Sequence, residues 1–97
     1  MVSRIGQDEL GRSLIKRIKE HGMDHTFLQK DTNSGTGTVN ITLNGTEPEY
    51  EITENVAWDK LEWNESLSNL ANRCDAICFG TLGQRLEPAK STIQKFI

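Results

Sequence analysis

The chain has 97 residues, 35% hydrophobic and 26% charged, with a net charge of −3, which is enough for one small domain with a modest core. Acidic and basic residues are mixed along it without a basic stripe, so nucleic acid and acidic membranes are poor partners. No apolar run approaches a membrane span and MVSRIGQDEL has no long apolar stretch, so the expectation is a soluble, cytoplasmic protein.

MVSRI reads as the tail of a strand. RIGQDELGRSL then sets Gly6, Asp8 and Gly11 at almost the spacing of the dinucleotide pattern G-x-G-x-x-G. In that pattern the middle glycine lets the backbone approach a pyrophosphate, whereas Asp8 puts a carboxylate there, and a carboxylate repels phosphate. Asp8 suits a helix N-cap instead, and Asp8 and Glu9 both suit the positive end of the helix dipole. As a plain cap, Asp8 should tolerate replacement by Asn. Leu10, Leu14 and Ile18 recur at helical spacing, with Lys16, Arg17 and Lys19 following and Gly22 at the C′ position, which predicts a helix with those three side chains on its apolar face. His21 and His25 flank Gly22 without the glutamate of H-E-x-x-H and read as a helix end and a loop.

HTFLQK, residues 25–30, is a short strand candidate, and SGTGTVNITLNGTEPEYEI is the clearest β signal in the chain. Val39, Ile41 and Leu43 alternate with Thr38, Asn40 and Thr42, and Tyr50 and Ile52 continue the apolar face on the return strand. With Asn44-Gly45 as the turn, Leu43 pairs with Thr46, Val39 with Tyr50 and Thr38 with Glu51. The single Trp58-Asp59 dipeptide is no sign of a propeller, which needs it at a fixed period. Residues 61–73 read as mostly helical, with Leu67, Leu70 and Ala71 on one side.

Cys74 and Cys78 lack the C-x-x-C spacing and the partners of a zinc site and read as two buried free thiols. Asn40, Asn44 and Asn64 open glycosylation sequons that would matter only in a secreted chain. DAICFG, residues 75–80, is the continuous apolar run of a buried parallel strand. A last helix begins near Glu87-Pro88, since proline is favoured at the first helical position. Both ends read as cut. The order of elements is α/β with an inserted hairpin layer.

SRIGQDELGRSLIKRIKEHGMD, GTGTVNITLNGTEPEYEI, NVAWD and DAICFGTLGQR together resemble the PfkB (ribokinase-like) carbohydrate kinases, and within them the fructokinase-like branch. A departure is Ser34-Gly35 before Thr36-Gly37, where many members carry a proline. The resemblance implies a partial doubly wound, Rossmann-like α/β core, residues 1–25 and 55–97, with an inserted small β-sheet lid in residues 26–54, all within one domain. It implies a middle portion of an enzyme that transfers the ATP γ-phosphate to the 6-hydroxyl of fructose or a related sugar, using ATP and Mg2+. It also implies that the water-excluding lid closes over the sugar.

On that reading Thr38, Asn40 and Glu51, on the polar hairpin face, contact sugar; the alternative is a solvated sheet face. Arg85 stands just beyond the C-terminal end of the expected strand 75–80, where open α/β sheets bind ligands, with Gly80 and Thr81 at the same edge. Arg85 there either holds a substrate hydroxyl or developing phosphate charge, or pairs with an acid such as Glu87. The family's G-A-G-D motif, which supplies its base and phosphate donors, does not occur, so no catalytic or metal residue is assigned. The chain alone is then expected to be inactive and to bind neither ATP nor Mg2+ tightly. The apolar hairpin face predicts a homodimer through residues 36–54. A non-catalytic association or sugar-binding module derived from the lid is the second reading.

Overall fold

A computed structural model describes residues 1–97. Strand β1 (Ser3–Gly6), helix α1 (Glu9–Glu20) and strand β2 (Leu28–Asp31) form a β-α-β unit. The strands are parallel, with Ser3 opposite Leu28 and Gly6 opposite Asp31. Residues 28–31 therefore share a sheet with β1. Helix α1 starts on Asp8, whose Oδ1 accepts the Gly11 N–H at 2.8 Å, and stops where Gly22 takes φ +68°. There the Gly22 and Met23 N–H groups bond the Lys19 and Ile18 carbonyls at 3.0 and 3.1 Å, a Schellman ending.

The face that α1 buries differs from the expected one. Gly11 and Ile18 are buried and Ile15 half-buried, while Leu10 and Leu14 are 55% and 37% exposed. Sterics explain the rotation: a Cβ on Gly11 would overlap the Gly6 carbonyl oxygen. The helix approaches β1 along its glycine, and that sets which side chains follow it inward.

Strands β3 (Val39–Asn44) and β4 (Glu47–Ile52) form a separate antiparallel hairpin. Its register is Val39 to Ile52, Ile41 to Tyr50 and Asn44 to Glu47, shifted from the expected one. Gly45 and Thr46, not Asn44 and Gly45, form the turn. Gly45 takes φ +72° at the first central position while Thr46 has negative φ, the pattern of a II′ rather than a I′ turn. The shift moves each partner by two residues, so the two faces remain sorted as expected.

Residues Ala57–Lys60 form a 3-10 turn that packs on β1, β2 and the segments that follow it. Helix α2 (Glu65–Arg73) is capped by Asn64, whose Oδ1 accepts the Leu67 N–H at 2.9 Å. A second 3-10 turn (Leu82–Gln84) precedes helix α3 (Ala89–Phe96). The core is small: Ile5, Ile18, Val56, Ala57, Leu61, Leu67 and Ala89.

Residues 75–80 form no strand, a correction to the expected buried one. Ile77 and Phe79 are 42% and 57% exposed. An apolar parallel strand needs ladder partners at its edges and cover on both faces, and in this chain β1 and β2 pair only with each other. The segment instead lines an apolar cleft of about 480 Å³ with Leu67, Leu70, Ile93 and Phe96. Cys74 is accordingly half-buried and Cys78 exposed, not the buried pair expected.

Candidate functional site

The hairpin joins the rest of the molecule through two stems, residues 34–38 and 53–56, and chemistry concentrates there. Asp8 serves both its helix and the first stem. Its Oδ1 accepts the Thr36 hydroxyl at 2.6 Å as well as the Gly11 N–H, and its Oδ2 accepts the Thr36 N–H at 2.9 Å. These bonds, the Thr36 hydroxyl foremost, hold the Asp8 carboxyl below the usual carboxylate range. The cap expected at Asp8 is present, but its interchangeability with Asn is not. An Asn amide NH₂ in place of either oxygen would face a backbone N–H, donor against donor.

Arg85 reaches the second stem. Its Nε and Nη2 grip Asp59 at 2.9 and 2.8 Å, and Nη2 also donates to the Thr53 carbonyl at 2.7 Å. The guanidinium lies 4.1 Å from the centroid of the Trp58 ring. Asp59 is fully buried. Burial pushes its carboxyl up, but the Arg85 hydrogen bonds, the Val56 N–H, the Arg85 charge and the Asn55 N–H outweigh it and leave it below the ordinary range. The same Asp59 hydrogen bonds push Arg85 up against the opposing effect of burial. Its partner is therefore Asp59 rather than Glu87, which instead accepts the Ser91 hydroxyl at 2.6 Å. Arg85 Nη1 has no protein partner and is not buried, so one edge of a fixed guanidinium remains open to a ligand oxygen.

Thr38, Asn40 and Glu51 share one hairpin face. Asn40 and Glu51 are cross-strand partners, both exposed, and the Thr38 hydroxyl lies 3.0 Å from that of Thr53. Thr53 is also the residue whose carbonyl Arg85 holds, so Arg85 meets the root of this polar face. Gly80 and Thr81 are exposed on the connection leading to Arg85. The Gly80 carbonyl accepts the Gln84 amide at 3.0 Å, and Gly80 also lines the apolar cleft. Sequence reasoning missed Thr36, Trp58 and Asp59. The NVAWD block held the last two, but nothing in local spacing ties an aspartate to an arginine 26 residues away.

The N-terminus of α1 does not fit ATP phosphates. The first turn of α1, where a dinucleotide fold receives phosphate, is filled by the Asp8 carboxylate, and no three His, Cys, Asp or Glu side chains converge.

No family model matches the chain. Along all 97 residues it is 25% identical to the sugar kinase PH1459 of Pyrococcus horikoshii, of which it spans 31%. Its backbone superposes on the crystal structure of that uncharacterized sugar kinase with a TM-score of 0.83 at 23% identity, covering 98% of this chain and 31% of that one. The complex of PH1459 with ATP gives 0.81 at 23% identity, over 97% and 31%. Fructokinase from Vibrio cholerae O395 in apo form gives 0.74 at 20% identity, over 98% and 33%. In sequence along its whole length, and in its mixed α/β fold, the chain is similar to about one third of a sugar kinase.

Proposed function

We propose that the chain is the hairpin-bearing part of a PfkB-type, fructokinase-like carbohydrate kinase. On this reading the β-α-β unit and the helices belong to a ribokinase-like core, and β3–β4 is the lid that closes over the sugar. The observation that carries it is the agreement of the ordered sequence blocks, Ser3 to Arg85, with a superposition covering 98% of the chain. The parent enzyme passes the ATP γ-phosphate to the 6-hydroxyl of fructose or a related sugar in the cytoplasm; the ATP complex of PH1459 supports the choice of phosphate donor.

In this enzyme Thr38, Asn40 and Glu51 meet sugar hydroxyls from the lid, and Gly80, Thr81 and Arg85 meet them from below. Arg85 offers Nη1 as a hydrogen-bond donor. Because Asp59 already balances its charge, it suits a neutral hydroxyl better than a phosphate. Phosphoryl transfer further needs a base and a set of phosphate donors, which the family takes from the G-A-G-D motif that does not occur in this sequence. The chain by itself is therefore inactive.

Titrating the isotope-labelled chain with fructose and following its amide resonances tests the sugar site. Changes confined to Thr38, Asn40, Glu51 and the residues around Arg85 are expected, and a spectrum that does not move refutes the site. An ADP-release assay with fructose, ribose and glucose should match the protein-free blank; turnover abolished by Arg85→Ala would mean that this chain holds a base not identified above. The second reading, a non-catalytic association module, draws on the exposed apolar hairpin face, where Ile41, Leu43 and Tyr50 are 61%, 75% and 66% exposed.

A further inference from the structure

Both hairpin stems meet one side-chain cluster, beyond the Asp8 bonds that hold Thr36 on the first stem. On the incoming stem, Gly37 lies so close to Trp58 that a Cβ there would overlap the indole Cδ1 and Nε1. On the outgoing stem, the Thr53 carbonyl is held by Arg85, which also stacks on Trp58 and is locked by Asp59. The stems join just above it, where the Thr53 N–H donates to the Thr38 carbonyl at 3.1 Å and the two hydroxyls meet. Below, the Ala57 N–H donates to the Gly35 carbonyl at 2.8 Å. The hairpin strands themselves are exposed along their whole length, and every element pair with substantial packing that includes β3 or β4 is the β3–β4 pair itself. Nothing in the strands fixes the angle at which they leave the molecule.

We propose that Trp58, Asp59 and Arg85 are positioning residues that set the direction of the hairpin, with Gly37 and Thr53 as the two points held. Asp59 acts through Arg85: its bidentate grip fixes the guanidinium plane, and that plane fixes both the Trp58 stack and the Thr53 bond. Arg85 lies at the end of the connection 75–84, so a displacement of that connection is passed to the hairpin through a single guanidinium. The proposal stands on contacts within this chain and does not depend on the kinase reading.

The test compares hydrogen exchange and residual dipolar couplings of the full chain with those of Arg85→Lys, which keeps the charge but loses the fork and the stack. The expected result is exchange about tenfold faster at the Thr53 amide, whose bond to the Thr38 carbonyl opens more readily once the charge-assisted bond from Arg85 to the Thr53 carbonyl is lost. The hairpin should also reorient relative to β1 and β2 while the Ile5 and Asp31 amides, which face each other's strand in the parallel ladder, stay protected. An unchanged hairpin direction overturns the proposal, as does loss of protection spread equally over β1 and β2, which would make the cluster a support of the whole fold. A second pair of variants bears on the same point without touching the ion pair. Gly37→Ala should tilt the hairpin, and Gly37→Ala in a Trp58→Ala background should tilt it no further than Trp58→Ala alone. Additive effects of the two changes would overturn the proposal.

Discussion

Asp8 carries three hydrogen bonds on two oxygens, and two of their donors are backbone N–H groups that cannot turn away. An isosteric amide supplies one acceptor where two are needed. Asp8→Asn should therefore lower the thermal unfolding midpoint by several degrees, measured by circular dichroism, and Thr36→Val should lower it as well, because the lost hydroxyl both donates to Asp8 and accepts the Gly6 N–H at 2.9 Å. Equal midpoints for Asp8→Asn and the parent would mean that the stem is held by something other than this carboxylate. The cap itself was legible in the sequence because capping is local: donor and acceptor lie three residues apart. The bond to Thr36 was not, since it spans 28 residues and only the fold brings its ends together.

At the scale of elements, the reading succeeded wherever a local rule decides. Helix α1 has its cap, its basic last turn and its Gly22 stop, and the hairpin has its alternation. It failed where a neighbour decides. The buried stripe of α1 follows the contact between Gly11 and Gly6, and the strand expected at 75–80 lacks a ladder partner. The hairpin register turned on a choice between two turns that both use Gly45, which composition does not distinguish. The candidate site residues divide in the same way: alternation was enough to group Thr38, Asn40 and Glu51 on one face, while the grip of Asp59 on Arg85 had no local signature. The hairpin also carries the association prediction. Ile41 is 61% exposed at the centre of an apolar face whose flanking edges are open. Sedimentation at micromolar concentration should show a dimer that Ile41→Lys converts to monomer, and a monomer in both cases would leave that face without a second copy.

For the whole molecule, acid is the informative perturbation. Asp8, Asp31 and Asp59 are all held below their ordinary range, Asp31 by the Asn33 N–H first and then by Arg4, whose Nε is 2.9 Å away. A carboxyl depressed in the folded state contributes stability that is complete above its unfolded pKa, about 3.9, and is lost as pH falls through the lower folded value. Urea midpoints should hold steady from neutral pH to about pH 5 and then fall steeply below about pH 4. In Asp31→Asn the starting stability should be lower and the acid slope shallower. A parent midpoint that does not change down to pH 3 would contradict the carboxylate bonding at the stems and strands. The three carboxylates link β1 to β2, α1 to the first stem and the second stem to residue 85, so their protonation loosens three long-range joints at once.

The distances along the chain that these joints span also order the events of folding. The hairpin closes through a two-residue turn, and such a unit pairs within about 1–10 μs. Arg85 must cross 26 residues to reach Asp59 and 32 to reach Thr53, and closing the longer loop costs entropy that the short one does not. The hairpin thus acquires its internal pairing before it acquires its direction. A nascent chain that has emerged only as far as Asp59 can already pair its hairpin strands, but the outgoing stem still lacks the Arg85 bond to the Thr53 carbonyl.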